Sequence, residues 1–224
     1  MKPVREKTHR PFISSARLIA IIAAILLTAV SAILAFVHQD FFDERVFHAL
    51  SPYVSDSVTP LMHNISFLGK HSFLIPVISL LVIYLLIIKD KWMALRVAAV
   101  MLSSLGVMSL LKRLIHRQRP PEPMVEGITN FSFPSGHSFI AMAFYGLLIW
   151  WANKEIRNIT TRWMVISLLS VLIAMIGFSR VYLRVHYTTD VMAGFCIGIA
   201  WLLFALSVMD RIQHRRTTSS YNRT

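Results

Sequence analysis

Apolar residues in this chain fall into long uncharged blocks rather than into the stripe of a surface helix or the alternation of a strand. Residues 18–37 form a run of twenty without a charge, about the length a helix needs to cross a bilayer. A cleaved signal peptide has an apolar core of only about 7–15 residues, so this run reads as a retained span. Runs at 72–88, 93–111, 139–152, 163–178 and 191–209 supply five more. Arg96, one turn into the third, is expected to snorkel back to the interface. Between the first two spans, residues 40–50 alternate charged and aromatic side chains with helical spacing, the pattern of an interfacial helix. Residues 58–68 are too short and polar to cross and read as a short helix tucked against the bundle. The tail, 210–224, is basic, rich in Ser and Thr, and expected to be disordered. The pattern thus predicts an all-α fold in one domain, 1–224: a six-helix transmembrane bundle with a short interfacial helix and basic tails at 1–17 and 210–224.

Composition narrows the class. The chain is 55% hydrophobic and 15% charged, with a mean hydropathy of +0.59, too apolar for a soluble globule of this size. A formal net charge of +12 would point to nucleic acid in a soluble protein. Here the cations lie in tails and short loops between apolar runs, so the partner they predict is the membrane surface, with no nucleic acid. Six spans put both termini on one side together with the basic loops 89–92 and 153–162, which makes that side cytoplasmic. The acidic loop with Asp40, Asp43, Glu44 and Asp56 falls outside. So do loop 112–136 and the segment 180–190, although both are basic. Residues that oppose an otherwise consistent sorting point to a function that holds them there. Cys196 is the single cysteine and can form no internal disulfide. Gly194 and Gly198 make a small-xxx-small pair that predicts close helix packing in the last span.

Three segments on the outer side carry candidate chemistry. Lys112-x6-Arg119-Pro120 sets two cations about two helical turns apart, on one side of a helix expected to continue past the third span. Pro134-Ser135-Gly136 favours a tight turn, after which His137 and Ser138 open a helix whose unpartnered N–H groups form an anion site. Ser179-Arg180-x5-His186-x3-Asp190 places a carboxylate one helical turn from an imidazole, a pairing that fixes the tautomer and raises the basicity of the free ring nitrogen. Singly these are a basic collar, a capped helix and a structural His–Asp pair. Together, three cations, a backbone nest and two histidines supply what phosphoryl transfer needs without a metal.

Lys112-x6-Arg119-Pro120, Pro134-Ser135-Gly136-His137 and Ser179-Arg180-x5-His186-x3-Asp190 resemble the three-part signature of the type 2 phosphatidic acid phosphatase superfamily, in order and across nearly the whole chain. The resemblance implies a metal-independent integral membrane lipid phosphatase, without cofactor, that works through a phosphohistidine. It implies that Lys112, Arg119 and Arg180 hold the phosphate, with Ser135 and Gly136 adding donors. By the same resemblance His186 is the nucleophile, Asp190 orients it, and His137 protonates the departing oxygen. The expected substrate is a membrane lipid mono- or diphosphate, such as undecaprenyl diphosphate, phosphatidylglycerol phosphate or phosphatidic acid, met at the extracytoplasmic face of the plasma membrane. A phosphotransferase of the same fold and a non-catalytic lipid-binding or transport protein are the alternatives; the second explains the spans but not the paired histidines. Arg184 lies outside the signature and reads as an interface cation.

Overall fold

The computed structural model describes residues 13–37, 39–128 and 130–221, and every regular element among them is helical. In chain order these are α1 (Ser15–Val37), α2 (Gln39–Leu50), a 3-10 turn (Ser51–Tyr53), α3 (Thr59–Phe67), α4 (His71–Ile87), α5 (Lys91–Leu114), α6 (Gly136–Glu155), α7 (Ile159–Tyr182) and α8 (Thr188–Tyr221). The basic residues Lys2, Arg5, Lys7 and Arg10 of the expected N-terminal tail lie outside the described residues.

Five stretches have the length and apolarity to cross a membrane: Ser15–Val37, Thr59–Ile87, Lys91–Leu114, Ile159–Tyr182 and Thr188–Arg216. Their large apolar side chains are widely exposed, as on α1 (Ile19, Leu26) and α4 (Leu80, Ile87). The remaining long helix, α6, is different. It packs against α5, α7 and α8 and buries Phe139, Phe144, Tyr145 and Leu147. A helix surrounded by other helices can carry Ala, Gly and Tyr where an outer one needs Leu and Ile, which is why residues 139–152 look short for a span.

The last helix meets α6 at its glycines, as the spacing predicts. A Cβ on Gly194 would stand 2.7 Å from the Ser135 carbonyl, and one on Gly198 would stand 2.8 Å from Met142 Cβ. Only hydrogen fits at those crossings. The start of α6 is thereby pressed against the first turns of α8.

Four expectations change. First, α5 ends at Leu114, where Ile115 turns extended, so Arg119 does not share a helical face with Lys112. Residues 115–119 find tertiary partners instead, among them the Ser132 N–H, which donates to the Arg117 carbonyl at 2.8 Å. Second, the tail is helical through Tyr221 rather than disordered. Asp210 is paired with Arg17 of α1 at 3.0 Å and with Arg96 of α5 at 2.5 Å, which fastens α8 where the apolar run ends. Third, Arg96 is not a lone cation but is held by partners at this end of the bundle. It is 9% exposed, donates also to Gln213 at 2.8 Å, and lies 5.0 Å from the Trp150 ring centre. Fourth, the α6–α7 connection is shorter than the expected 153–162, and Asn158 caps α7 by accepting from Thr161 N–H at 2.9 Å. Within the acidic segment, Asp43 is buried. Arg17, Arg96 and Asp210 mark one end of the bundle. Asp190 marks the other, roughly 30 Å away along α8.

Candidate active site

The start of α6 builds one wall. Ser135 is its N-cap: its hydroxyl accepts from the Ser138 hydroxyl at 2.9 Å and from Ser138 N–H at 3.5 Å. Ser135 N–H donates to the Asp190 carbonyl at 3.0 Å, which ties the turn to the start of α8. The N–H groups of Gly136 and His137, in the first helical turn, point outward without a helical acceptor. Lys112 passes directly over this turn, since a Cβ on Gly136 would stand 3.7 Å from its Cε. The His137 ring lies against Gly69, and the titratable groups around it are Arg180, His186, His71 and Lys112.

Opposite stands His186, in the short turn between α7 and α8, where its N–H and that of Val185 both donate to the Arg180 carbonyl at 3.2 Å. Its Nδ1 faces Asp190 Oδ2 at 3.6 Å and Ser132 Oγ at 3.4 Å. Its Nε2 faces Arg119 Nη1 at 3.4 Å. A guanidinium has only donors, so Nε2 carries the lone pair and Nδ1 the proton. Burial pushes the His186 pKa down to about 4, with the Asp190 contact opposing and Arg119 and Arg180 adding to the shift. The ring is therefore neutral at physiological pH, its free lone pair turned towards the cations.

Each cation is pre-aimed by protein acceptors. Arg119 donates through Nε to the Asn130 carbonyl at 2.7 Å, through Nη2 to Asn130 Oδ1 and through Nη1 to the Val185 carbonyl. Lys112 Nζ donates to the Phe131 carbonyl at 2.9 Å. Arg180, 6% exposed, donates to Ser66 of α3 at 2.5 Å, and its Nε has no acceptor among the described residues. Asp190 is fully buried. Oδ2 accepts from the Ser132 hydroxyl at 2.5 Å and Tyr187 N–H at 2.9 Å, and Oδ1 from Arg117 at 2.5 Å.

Lys112, Arg119, Ser135, Gly136, His137, Arg180, His186 and Asp190 thus come together at one end of the bundle. Arg184 stands apart, facing Glu122 at 3.5 Å and the Phe47 ring at 5.5 Å. Sequence reasoning missed Asn130, Ser132, Arg117, Asp43 and Ser66. Asn130 and Ser132 flank Phe131 beside the turn and could have been flagged by that proximity. Asp43 and Ser66 carry no local signal. Among the described residues, no group of three or more His, Cys, Asp or Glu is placed to hold a metal.

Residues 93–213 match the PAP2 superfamily. Phosphatidylglycerophosphatase B of Bacillus subtilis (strain 168) is 33% identical over 156 residues, which cover 69% of this chain and 74% of that protein. The crystal structure of a transmembrane PAP2-type phosphatidylglycerolphosphate phosphatase from Bacillus subtilis matches with a TM-score of 0.76 at 28% identity, over 88% of this chain and 96% of that one. The crystal structure of Aquifex aeolicus LpxE shares the fold, with a TM-score of 0.57 at 20% identity over 73% of this chain and 94% of that one. An all-helical assembly of apolar spans with these likenesses is a multi-pass membrane lipid phosphatase. The chain belongs to the PAP2 superfamily.

Proposed function

We propose that the enzyme hydrolyses lipid mono- or diphosphates through a phosphohistidine on His186. The observation that carries this reading is the orientation of His186: a neutral buried ring whose Nδ1 faces Asp190 and Ser132 while Nε2 faces the Arg119 guanidinium. A phosphate held by Lys112, Arg119, Arg180 and the free N–H groups of Gly136 and His137 has its phosphorus in front of that lone pair. The Nε2–P bond forms as the P–O bond to the leaving group (the lipid alkoxide of a monophosphate or the lipid phosphate of a diphosphate) breaks, and His137 gives its proton to the departing oxygen. Water then attacks phosphorus, His137 takes the proton back, and the N–P bond breaks to release inorganic phosphate. Fixed cations neutralise the charge on the equatorial oxygens, the role a metal plays in other phosphoryl-transfer sites.

The relatives' names support phosphatidylglycerol phosphate as a substrate. Undecaprenyl diphosphate and phosphatidic acid present the same terminal phosphate on a lipid. Purified protein in detergent is expected to release phosphate from such lipids in the presence of EDTA. Activity lost in EDTA and restored by magnesium or zinc would overturn the metal-free reading, and no release from any of them the lipid reading.

We further propose that α6 is a sixth crossing, that α2 lies at the interface, and that the catalytic end faces outward from the plasma membrane, with both termini cytoplasmic. The charge sorting supports this, as does the common end shared by Arg17, Arg96 and Asp210. In a Cys196→Ser background, Glu126→Cys should react with a membrane-impermeant thiol reagent on intact cells. Arg157→Cys should react only after permeabilisation; both side chains are exposed. The reverse pattern would overturn the orientation.

A further inference from the structure

Arg117 is the one cation of the segment 112–119 that turns fully inward, at 4% exposure. Its Nη1 donates to Asp190 Oδ1 at 2.5 Å and to Thr189 Oγ1 at 2.8 Å, and its Nη2 donates to Asp43 Oδ2 at 2.8 Å. One face of the guanidinium lies 4.0 Å from the Tyr187 ring centre, and the Tyr187 N–H donates to the other Asp190 oxygen. Asp43, on α2, completes the set. It accepts from Thr189 N–H at 3.1 Å and from the Thr189 hydroxyl at 2.7 Å, at the first turn of α8, one residue before Asp190.

We infer that Arg117 and Asp43 form a positioning pair that aims the Asp190 carboxylate at His186. This rests on the reading of His186 as nucleophile. Without Arg117, Asp190 Oδ1 would be buried with no charged donor, and the carboxylate would be free to turn away from the ring. With Arg117 on Oδ1, the other oxygen is left for Ser132, Tyr187 N–H and the imidazole. The charges fit the chemistry as well. One cation between two carboxylates leaves a net negative charge beside His186, which stabilises the ring as it becomes cationic upon taking the phosphoryl group. Asp43 stops Arg117 from cancelling the field of Asp190, and it holds the first turn of α8 that presents Asp190. Neither residue touches the place where substrate would sit, so they act through Asp190.

The alternative is that the pair only fastens α2 to α8, and pH dependence separates the two. The titratable and polar groups that face His186 include Asp190, Arg119, Arg180, His137 and Ser132; those that face Asp190 include His186, Arg117, Lys112, Arg119 and Ser132. Removing Arg117 deletes a positive charge behind Asp190, so His186 should hold its proton to higher pH. Removing Asp43 leaves Arg117 unopposed, so His186 should lose its proton at lower pH.

The test compares Arg117→Gln, Arg117→Lys and Asp43→Asn in the full chain in detergent, on one lipid phosphate substrate. Arg117→Gln should lower kcat by about 10–100-fold, by analogy with the cost of removing a group that orients a metal ligand. KM should change little, and the acid limb of kcat/KM should move to higher pH. Asp43→Asn, which keeps the size and an acceptor for Thr189 N–H, should move that limb to lower pH, and Arg117→Lys should recover much of kcat. Opposite shifts are what a fastening role does not produce. If kcat stays within about twofold of the parent protein and the limb does not move in Arg117→Gln, the inference falls while the nucleophile stands. If Arg117→Gln does not fold, Asp43→Asn decides alone: a limb shifted to lower pH supports the inference, and an unmoved limb overturns it. A His186→Ala protein that still forms a phosphoryl-enzyme overturns the nucleophile reading, and this inference with it.

Discussion

Replacing His186 with alanine is expected to abolish turnover together with any covalent phosphoryl-enzyme. Hydrolases that lose their nucleophile fall by about 10⁶-fold in kcat, and nothing else in this cluster offers a lone pair in the same place. The other histidine lies across the site among cations, Asp190 is enclosed by donors, the Ser132 hydroxyl is committed to Asp190, and the Ser135 and Ser138 hydroxyls are committed to one another. Brief reaction with phosphorus-labelled substrate, quenched in alkali because phosphohistidine is acid-labile, should label the parent protein and leave His186→Ala unlabelled. Label retained in the variant would mean that another residue attacks. The same residue sets the pH profile. A ring whose pKa is pushed down to about 4 stays neutral as pH falls through the range where an ordinary histidine takes up a proton. The acid limb of kcat/KM for the free enzyme should therefore lie near pH 4 rather than near the ordinary histidine value of about 6.5.

Replacing His137 with alanine is expected to slow formation of the phosphoryl-enzyme by about 10²–10⁴-fold on lipid substrates, the usual contribution of a general acid. The lipid alkoxide or phosphate is a poor leaving group and needs the proton. An aryl phosphate leaves as a stable phenolate, so the loss on that substrate should be much smaller. His137→Ala also keeps the backbone N–H groups of the α6 start, so phosphate binding through them survives. The comparison of leaving groups under single-turnover conditions decides between two roles. An equal loss on both substrates, carried in KM with kcat little changed, would make His137 a phosphate ligand rather than an acid.

The reach of the sequence is clearest at the three motif segments. Pro134-Ser135-Gly136 dictates a turn and a helix start through backbone geometry alone, and α6 begins at Gly136 with Ser135 as its cap. His186 and Asp190 are four residues apart, so the local chain carries their pairing. Gly194 and Gly198 announced a close helix crossing, because absence of a side chain is itself a packing statement. Hydropathy reported the outer helices well, since each faces lipid along a full run. It reported α6 poorly, since a helix surrounded by protein has no need of a lipid-facing surface.

What the chain by itself determined is therefore local or compositional: the membrane class, the turn, the order of the motifs and the types of residue that meet phosphate. What only the tertiary structure decided is which buried charge meets which. Asp43 reads as one more acid in a charged, aromatic stretch, yet it lies against Arg117, 74 residues away. Ser66 is an ordinary serine of a short helix, yet it holds Arg180 across 114 residues. Arg96 reads as a lone interface cation, yet Asp210 holds it, and α8 runs on as a helix through a tail that composition marks as disordered. Periodicity specifies one face of one helix at a time. Ion pairs between helices depend on how far each is shifted and rotated against its neighbour, and those two quantities are fixed only when all the faces pack at once.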